Sequence, residues 1–530
     1  MTDSAQNSPP QTAPTATATS PTETEQTKTE QTKATPNGVE HRSLVLTSYD
    51  PRTSELLGDY AMMGADEVTR TIREAKSAQR WWAGLGSAGR KRWLLDWKKA
   101  IAKRAADLVE VVVQETGKPH DDAWLEVMLA VEHLDWAAKN AGKVLDRHKV
   151  RSGLVAINQA SSVGYEPLGV VGVIGPWNYP VYTPMGSIAY ALAAGNAVVF
   201  KPSELTPGTG TWLAETWRTL APNQPVFQVV TGDADTGAAL CRSRVDKVAF
   251  TGSAATARKV LAICAESLTP AVIEGGGKDA MIVGADAKLD DAAEAAVFGG
   301  MGNAGQTCVG VERVYAVETV FDDFVALVEK KARKLKPGAD RGAAYGPMTR
   351  EAQVEVVRNH VRDALDKGGT AVVGGLDSIR EPYIQPIVLV DVPEDSIAVT
   401  EETFGPVLVI NRVRDLSEAI ARANATSYAL GASVFTRDTR TGQWVAERLR
   451  AGVVTINSVL GFAGVAALPF GGVGDSGFGR IHGADGLREF SRVKSIARQK
   501  RRAPLHLLTM DRKARHLRLS KWVFKTRHAR

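Results

Sequence analysis

The chain has 530 residues, 44% hydrophobic and 23% charged, the balance of a soluble globular protein with length for about three compact units. Its net charge of +6 misleads: residues 498–530 hold twelve Lys and Arg against Asp511 alone, so residues 1–497 carry −5, and a nucleic-acid partner is not expected. Three cysteines give no disulfide framework, no apolar run reaches the ~18 residues of a membrane span, and the N-terminus lacks a secretory-signal pattern, so a cytoplasmic location is expected.

Residues 1–40 are Thr, Gln, Pro, Ala, Ser and Glu with almost no large apolar side chain, a composition that predicts disorder. From Val68 to Thr116 apolar residues recur at spacings of three and four, which predicts helices broken by glycines. Then β-branched runs (GVVGVIGPWNYP, NAVVFKPSE, FQVVTG, DKVAFTGS) alternate with helix-compatible stretches. Such alternation predicts crossover units and a buried parallel sheet. A second series follows Glu274: KDAMIV, VERVYAV, AVVGG, PIVLVDV, VLVINRV, SVFT and GVVTIN, with helices between. The change there predicts a domain boundary. Residues 498–530 interleave cations with Leu, Trp, Val and Phe but form no clean helical stripe. That composition fits an interfacial segment on anionic lipid, or else a solvated disordered tail.

Cys241 and Cys264 sit in apolar, helical stretches and read as small buried hydrophobes. Cys308 instead ends FGGMGNAGQTC, with Glu274 thirty-four residues upstream beside its own glycine run. A thiol with a carboxylate base is a covalent-catalysis pair. Strand ends carry Trp177-Asn178, Lys201 with Glu204, and Gly252-Ser253. Ligands bind at such ends in open parallel sheets, and a carboxylate beside a lysine suits ribose hydroxyls. The spacing alone leaves a nucleotide site level with ordinary turn glycines.

Together, PWNYP, KPSE, FTGS, EGGGK, NAGQTC, EETFGPV and PFGGVGDSGFGR, in this order over residues 41–500, resemble the NAD(P)-dependent aldehyde dehydrogenase superfamily. The resemblance implies an α/β fold: a Rossmann-like cofactor domain (41–147 and 166–275), a catalytic domain (276–484) and oligomerisation strands (148–165 and 485–497). It implies oxidation of an aldehyde to the acid, with Cys308 as nucleophile forming a thiohemiacetal and then a thioester. Asn178 and the Cys308 amide would hold the oxyanion, and Glu274 would activate water. Trp177, Lys201, Glu204, Gly252, Ser253, Glu402 and Phe404 would contact NAD, with NADP as the alternative, and no metal is implied. A homodimer or homotetramer is expected, with Tyr179 and Phe462 lining a substrate tunnel. The family's CoA-acylating branch usually lacks the carboxylate that Glu274 supplies, and a non-catalytic scaffold or lipid-surface protein would have lost Cys308, Glu274 or Asn178. Three departures stand out: Gly275 where many members have Leu, expected to loosen the backbone beside the base; Ala257 where the helix usually has Gly, expected to tighten packing on the cofactor; and Gly474 where many have Lys. The last, with His482-Gly483, resembles the fatty- and aromatic-aldehyde branch and implies hydrophobic substrates.

Overall fold

The β-branched runs become two parallel sheets in the computed structural model, which describes residues 45–153, 156–502, 505 and 507–529. The segment 1–40, expected to be disordered, lies outside the described residues. In the first sheet Ala271–Glu274, Lys247–Thr251, Val170–Ile174, Ala197–Lys201 and Phe227–Val229 lie side by side, all parallel. Helices Tyr182–Ala194, Pro207–Leu220, Ala234–Arg242 and Ala254–Glu266 connect them. The central strands are buried along nearly their whole length, as a sheet covered on both faces requires.

Between Glu274 and Asp279 the chain passes to a seven-stranded sheet, Thr370–Val373, Ile387–Val390, Val407–Val413, Val311–Val317, Asp279–Val283, Gly431–Phe435 and Val453–Ile456, parallel except for its first edge strand. One short return strand, Gly477–Phe478, pairs antiparallel with Ile273 and Glu274, so the later part of the chain completes the earlier sheet. That strand has only two residues and no apolar run to announce it. A third sheet, antiparallel, joins His148–Val150, Gln159–Pro167 and Ser491–Gln499. Its last strand starts later than the expected 485 because Gly483–Glu489 is helical, and it runs on to Gln499.

The long helix His120–Leu145 is absent from the sequence reading. Its inward positions include Ala123, Val127, Ala130, Leu134 and Ala137, yet also Glu126 and His133, and these two polar residues interrupt the apolar stripe. The predicted Val68–Thr116 region divides into Ala65–Gly84, Gly86–Lys103 and Ala105–Thr116. Trp82 and Trp97 meet Trp217 edge-on at 5.6 and 5.4 Å, each such pair adding about 0.5–1.5 kcal/mol beyond its burial. Cys241 and Cys264 are buried on helices, as expected. The tail, for which disorder was the alternative, forms a helix over Ala514–His528 with no buried residue.

Candidate active site

Cys308 lies just before the strand Val311–Val317, at the end of a turn built from Gly302–Gly305. Asn303 and Ala304 both take left-handed φ values, 54° and 56°, a conformation that costs free energy for residues with a Cβ and clusters at functional sites. The Asn303 amide donates to the carbonyls of Asn178 and Gln306, and the Gln306 amide donates back to the Asn303 carbonyl. The glycines near Cys308 serve packing between segments: a Cβ at Gly299 would meet Val311, and one at Gly305 the Gly405 carbonyl. Burial and the nearby Glu274, Glu402 and Asp279 push the Cys308 thiol well above its ordinary value. This favours the protonated thiol, so reaction at its sulfur needs the proton removed.

Glu274 ends its strand with one carboxylate oxygen held and one bare. Oε2 accepts from Thr251 Oγ1 at 3.0 Å, while the buried Oε1 has no partner. Burial raises its pKa to about 7, against the Thr251 hydrogen bond, the range a general base needs at neutral pH. The glycine run after it is explained by close approach. A Cβ at Gly275 would lie 2.6 Å from the Asp475 carbonyl, one at Gly276 2.1 Å from Glu402 Oε2, and one at Gly277 2.4 Å from the Cys308 carbonyl. Gly275 is required for space. It admits the turn containing Gly474, itself at φ 64°, so two of the departures from the family pattern are a single packing arrangement.

Asn178 Nδ2 donates to the Gln306 carbonyl at 2.9 Å, fixing the amide beside the NAGQTC turn and leaving its second N–H for a ligand. Cys308 and Glu274 line one cavity of about 330 Å³, whose walls include Leu129, Phe298, Val459, Phe462, Phe470 and Ile481. Tyr179 lines it as expected and bonds Thr307 Oγ1 at 3.0 Å. Its acidic groups are Asp122, Glu126 and Glu274; among the described residues no Lys or Arg lines it.

The residues expected to hold a dinucleotide lie along the ends of the first sheet. Lys201 Nζ is 3.3 Å from Glu204 Oε2, with the lysine buried and the glutamate half-exposed. Ser253 caps the helix Ala254–Glu266, accepting from the Thr256 amide, so first-turn amides stand free for an anion. Glu402 Oε1 accepts from the Gly277 amide, and burial beside Glu312 raises its pKa to about 8, so it can donate a hydrogen bond to a sugar hydroxyl. Trp177 and Phe404 meet edge-to-face at 5.6 Å. This set of a partly paired lysine, a helix N-terminus and a carboxyl at bare backbone fits a dinucleotide. Ala257, by contrast, is buried in the core, so its methyl packs on the protein. Sequence reasoning missed Lys278 and Glu312: Lys278 bonds Glu312, whose carboxylate accepts from the Thr403 and Phe404 amides. This pair holds the loop carrying Glu402.

The aldehyde dehydrogenase family model matches residues 39–496. The chain belongs to the aldehyde dehydrogenase family. It is 37% identical to a 4,4'-diapolycopene aldehyde oxidase of Methylomonas over 87% of each chain. It is 36% identical to a putative NADP(+) succinate-semialdehyde dehydrogenase of Mycolicibacterium smegmatis over 82% of this chain and 84% of that one. An NAD-dependent aldehyde dehydrogenase of Sinorhizobium meliloti superposes with a TM-score of 0.83 at 32% identity, covering 88% of this chain and 93% of that one. The protein is thus an oxidoreductase that converts an aldehyde to the carboxylic acid with NAD or NADP. This aldehyde dehydrogenase has no helix, among the described residues, long and apolar enough to cross a membrane.

Proposed function

We propose that this aldehyde dehydrogenase acts on long or aromatic apolar aldehydes and prefers NAD. The wall of the Cys308 cavity carries that reading: it is largely apolar, with acidic groups and, among the described residues, no Lys or Arg. The carboxylate of succinic semialdehyde would enter without a partner and face Asp122, and a buried unpaired charge is costly. The relative named as a 4,4'-diapolycopene aldehyde oxidase supports the same side. For the cofactor, Lys201 holds the Glu204 carboxyl below its usual range although burial opposes this. Glu204 is therefore charged at neutral pH and repels a 2′-phosphate.

In this reading the first sheet is the cofactor domain, the seven-stranded sheet the catalytic one, and the cleft between them the site. Cys308 Sγ bonds to the aldehyde carbon as the S–H bond breaks and its proton passes to solvent. The carbonyl oxygen becomes an oxyanion held by the Asn178 amide and the Cys308 N–H, one such donor contributing about 3–4 kcal/mol. Bound NAD(P) supplies the hydride acceptor, and a thioester on Cys308 remains. Glu274 then takes a proton from water, whose oxygen attacks the thioester, and the acid leaves as the thiol re-forms. A free thiol of this kind also suits the reducing cytoplasm.

Assembly is proposed through the third sheet. Its outer strand Ser491–Gln499 leaves Val493 and Ile496 exposed, and an unpaired edge accepts a second copy. For the tail we propose contact with an anionic membrane surface: Trp522, Phe524 and Leu508 are exposed on a segment whose only acid is Asp511. Pelleting with phosphatidylserine vesicles, full chain against a 1–499 truncation, checks this; equal pelleting would refute it. The main test is an NAD(P)H-formation panel of decanal, benzaldehyde and succinic semialdehyde. We expect kcat/KM at least about 100-fold higher for the apolar substrates and higher with NAD than NADP. Preference for the semialdehyde would overturn the substrate assignment, and full activity of Cys308→Ala would overturn the mechanism.

A further inference from the structure

Behind the oxyanion segment lies an ion pair, Lys118 with Glu126, of which Glu126 also lines the substrate cavity. Lys118 and Glu126 have side chains 1% and 0% exposed and meet at 2.6 Å. Their remaining polar contacts all land on one stretch, residues 178–182. Lys118 Nζ donates to the Asn178 carbonyl at 2.8 Å and lies 4.3 Å from the Tyr179 ring centre. Glu126 Oε1 accepts from the Val181 and Tyr182 amides at 2.7 and 3.2 Å. Those amides open the helix Tyr182–Ala194, which has no side-chain cap of its own. A carboxylate from the helix His120–Leu145 thus takes the place of an N-cap.

The arrangement has a specific mechanical effect. Asn178 stands between two fixed points, the carbonyl bonded to Lys118 and the helix start bonded to Glu126. Its side-chain amide is then oriented by the Gln306 carbonyl. A buried ion pair is weak support for stability, because desolvation offsets the attraction. It does fix geometry where every donor and acceptor is used on one backbone segment. Oxyanion stabilisation depends on such fixing, since donors must meet the position the oxyanion will occupy.

We propose that Lys118 and Glu126 are positioning residues that hold Asn178 in register with the thiohemiacetal oxyanion. This rests on the reading of Asn178 as an oxyanion donor. The test is a double-mutant cycle in the full-length protein with decanal and NAD. Single variants Lys118→Met, Glu126→Gln and Asn178→Ala are each combined pairwise, and the pre-steady-state rate of NADH formation is followed. Each of the two clamp variants is expected to slow hydride transfer about 10- to 100-fold, the scale of a 1 Å misplacement, with KM for NAD within about threefold of the parent. The isotope effect with 1-deuterated decanal should rise as this step becomes limiting. Added to Asn178→Ala, neither variant should cost more, because a clamp without its load has nothing left to hold. Losses that multiply with Asn178→Ala, or a parental rate in Glu126→Gln, overturn the clamp while leaving Asn178 as donor. A parental rate in Asn178→Ala overturns the donor assignment and the clamp with it. Glu126→Gln preserves side-chain volume and keeps the cycle informative should Lys118→Met fail to fold.

Discussion

The bare oxygen of Glu274 and the protonated thiol of Cys308 make acid–base behaviour the property most exposed to experiment. Because burial lifts the Glu274 pKa to about 7, steady-state turnover should rise with pH through that value, and Glu274→Gln should give a single burst of NADH and then stall. A pH profile flat from about 6 to 8 would contradict the base assignment. Linkage gives a second consequence. A carboxyl raised from 4.5 to about 7 contributes stability that is full below 4.5 and lost as pH rises through 7. Glu274→Gln removes that loss, so its melting temperature should match the parent near about pH 5 and exceed it above about pH 8; thermal melts at both values check the sign. These two residues were legible in the sequence because each stands beside an unusual glycine run. Lys118 and Glu126 were not: Lys118 falls in the short link between Ala105–Thr116 and His120–Leu145, and a lone charge reads as a surface group until its burial is known.

Among the elements, the return strand Gly477–Phe478 and the turn before it explain two of the three family departures, Gly275 and Gly474. The Asp475 carbonyl occupies the space a side chain at 275 would need. Gly275→Ala should therefore cost about 1–3 kcal/mol from overpacking, read as a lower urea midpoint; an unchanged midpoint would show that the turn yields. Apart from Ala271–Glu274, the parallel strands of both sheets could be read directly, because buried strands are continuous β-branched runs. The return strand could not, having two residues and a glycine for one of them. The helix His120–Leu145 hid for a different reason: Glu126 and His133 fall on its buried stripe, where periodicity expects apolar residues. The same irregularity marked the position of the clamp.

For the whole molecule, the exposed outer edge of Ser491–Gln499 predicts the assembly state. Val493→Lys places a charge on that strand and should shift the protein toward monomer in sedimentation velocity; an unchanged mass would remove this strand from the interface. The positions of the tail's cations were plain in composition, but its helix was not, since its apolar residues do not share one face. The pairing of Gly477–Phe478 with the strand ending at Glu274 also bears on how the enzyme is made. Synthesis proceeds from the N-terminus, so a nascent chain carries Cys308 and Glu274 well before the residues that close the sheet beside Glu274 exist. Pairing across some two hundred positions forms late. The working site is thus one of the last parts of the protein to come into being, and a chain released early carries Cys308 with no finished machinery around it.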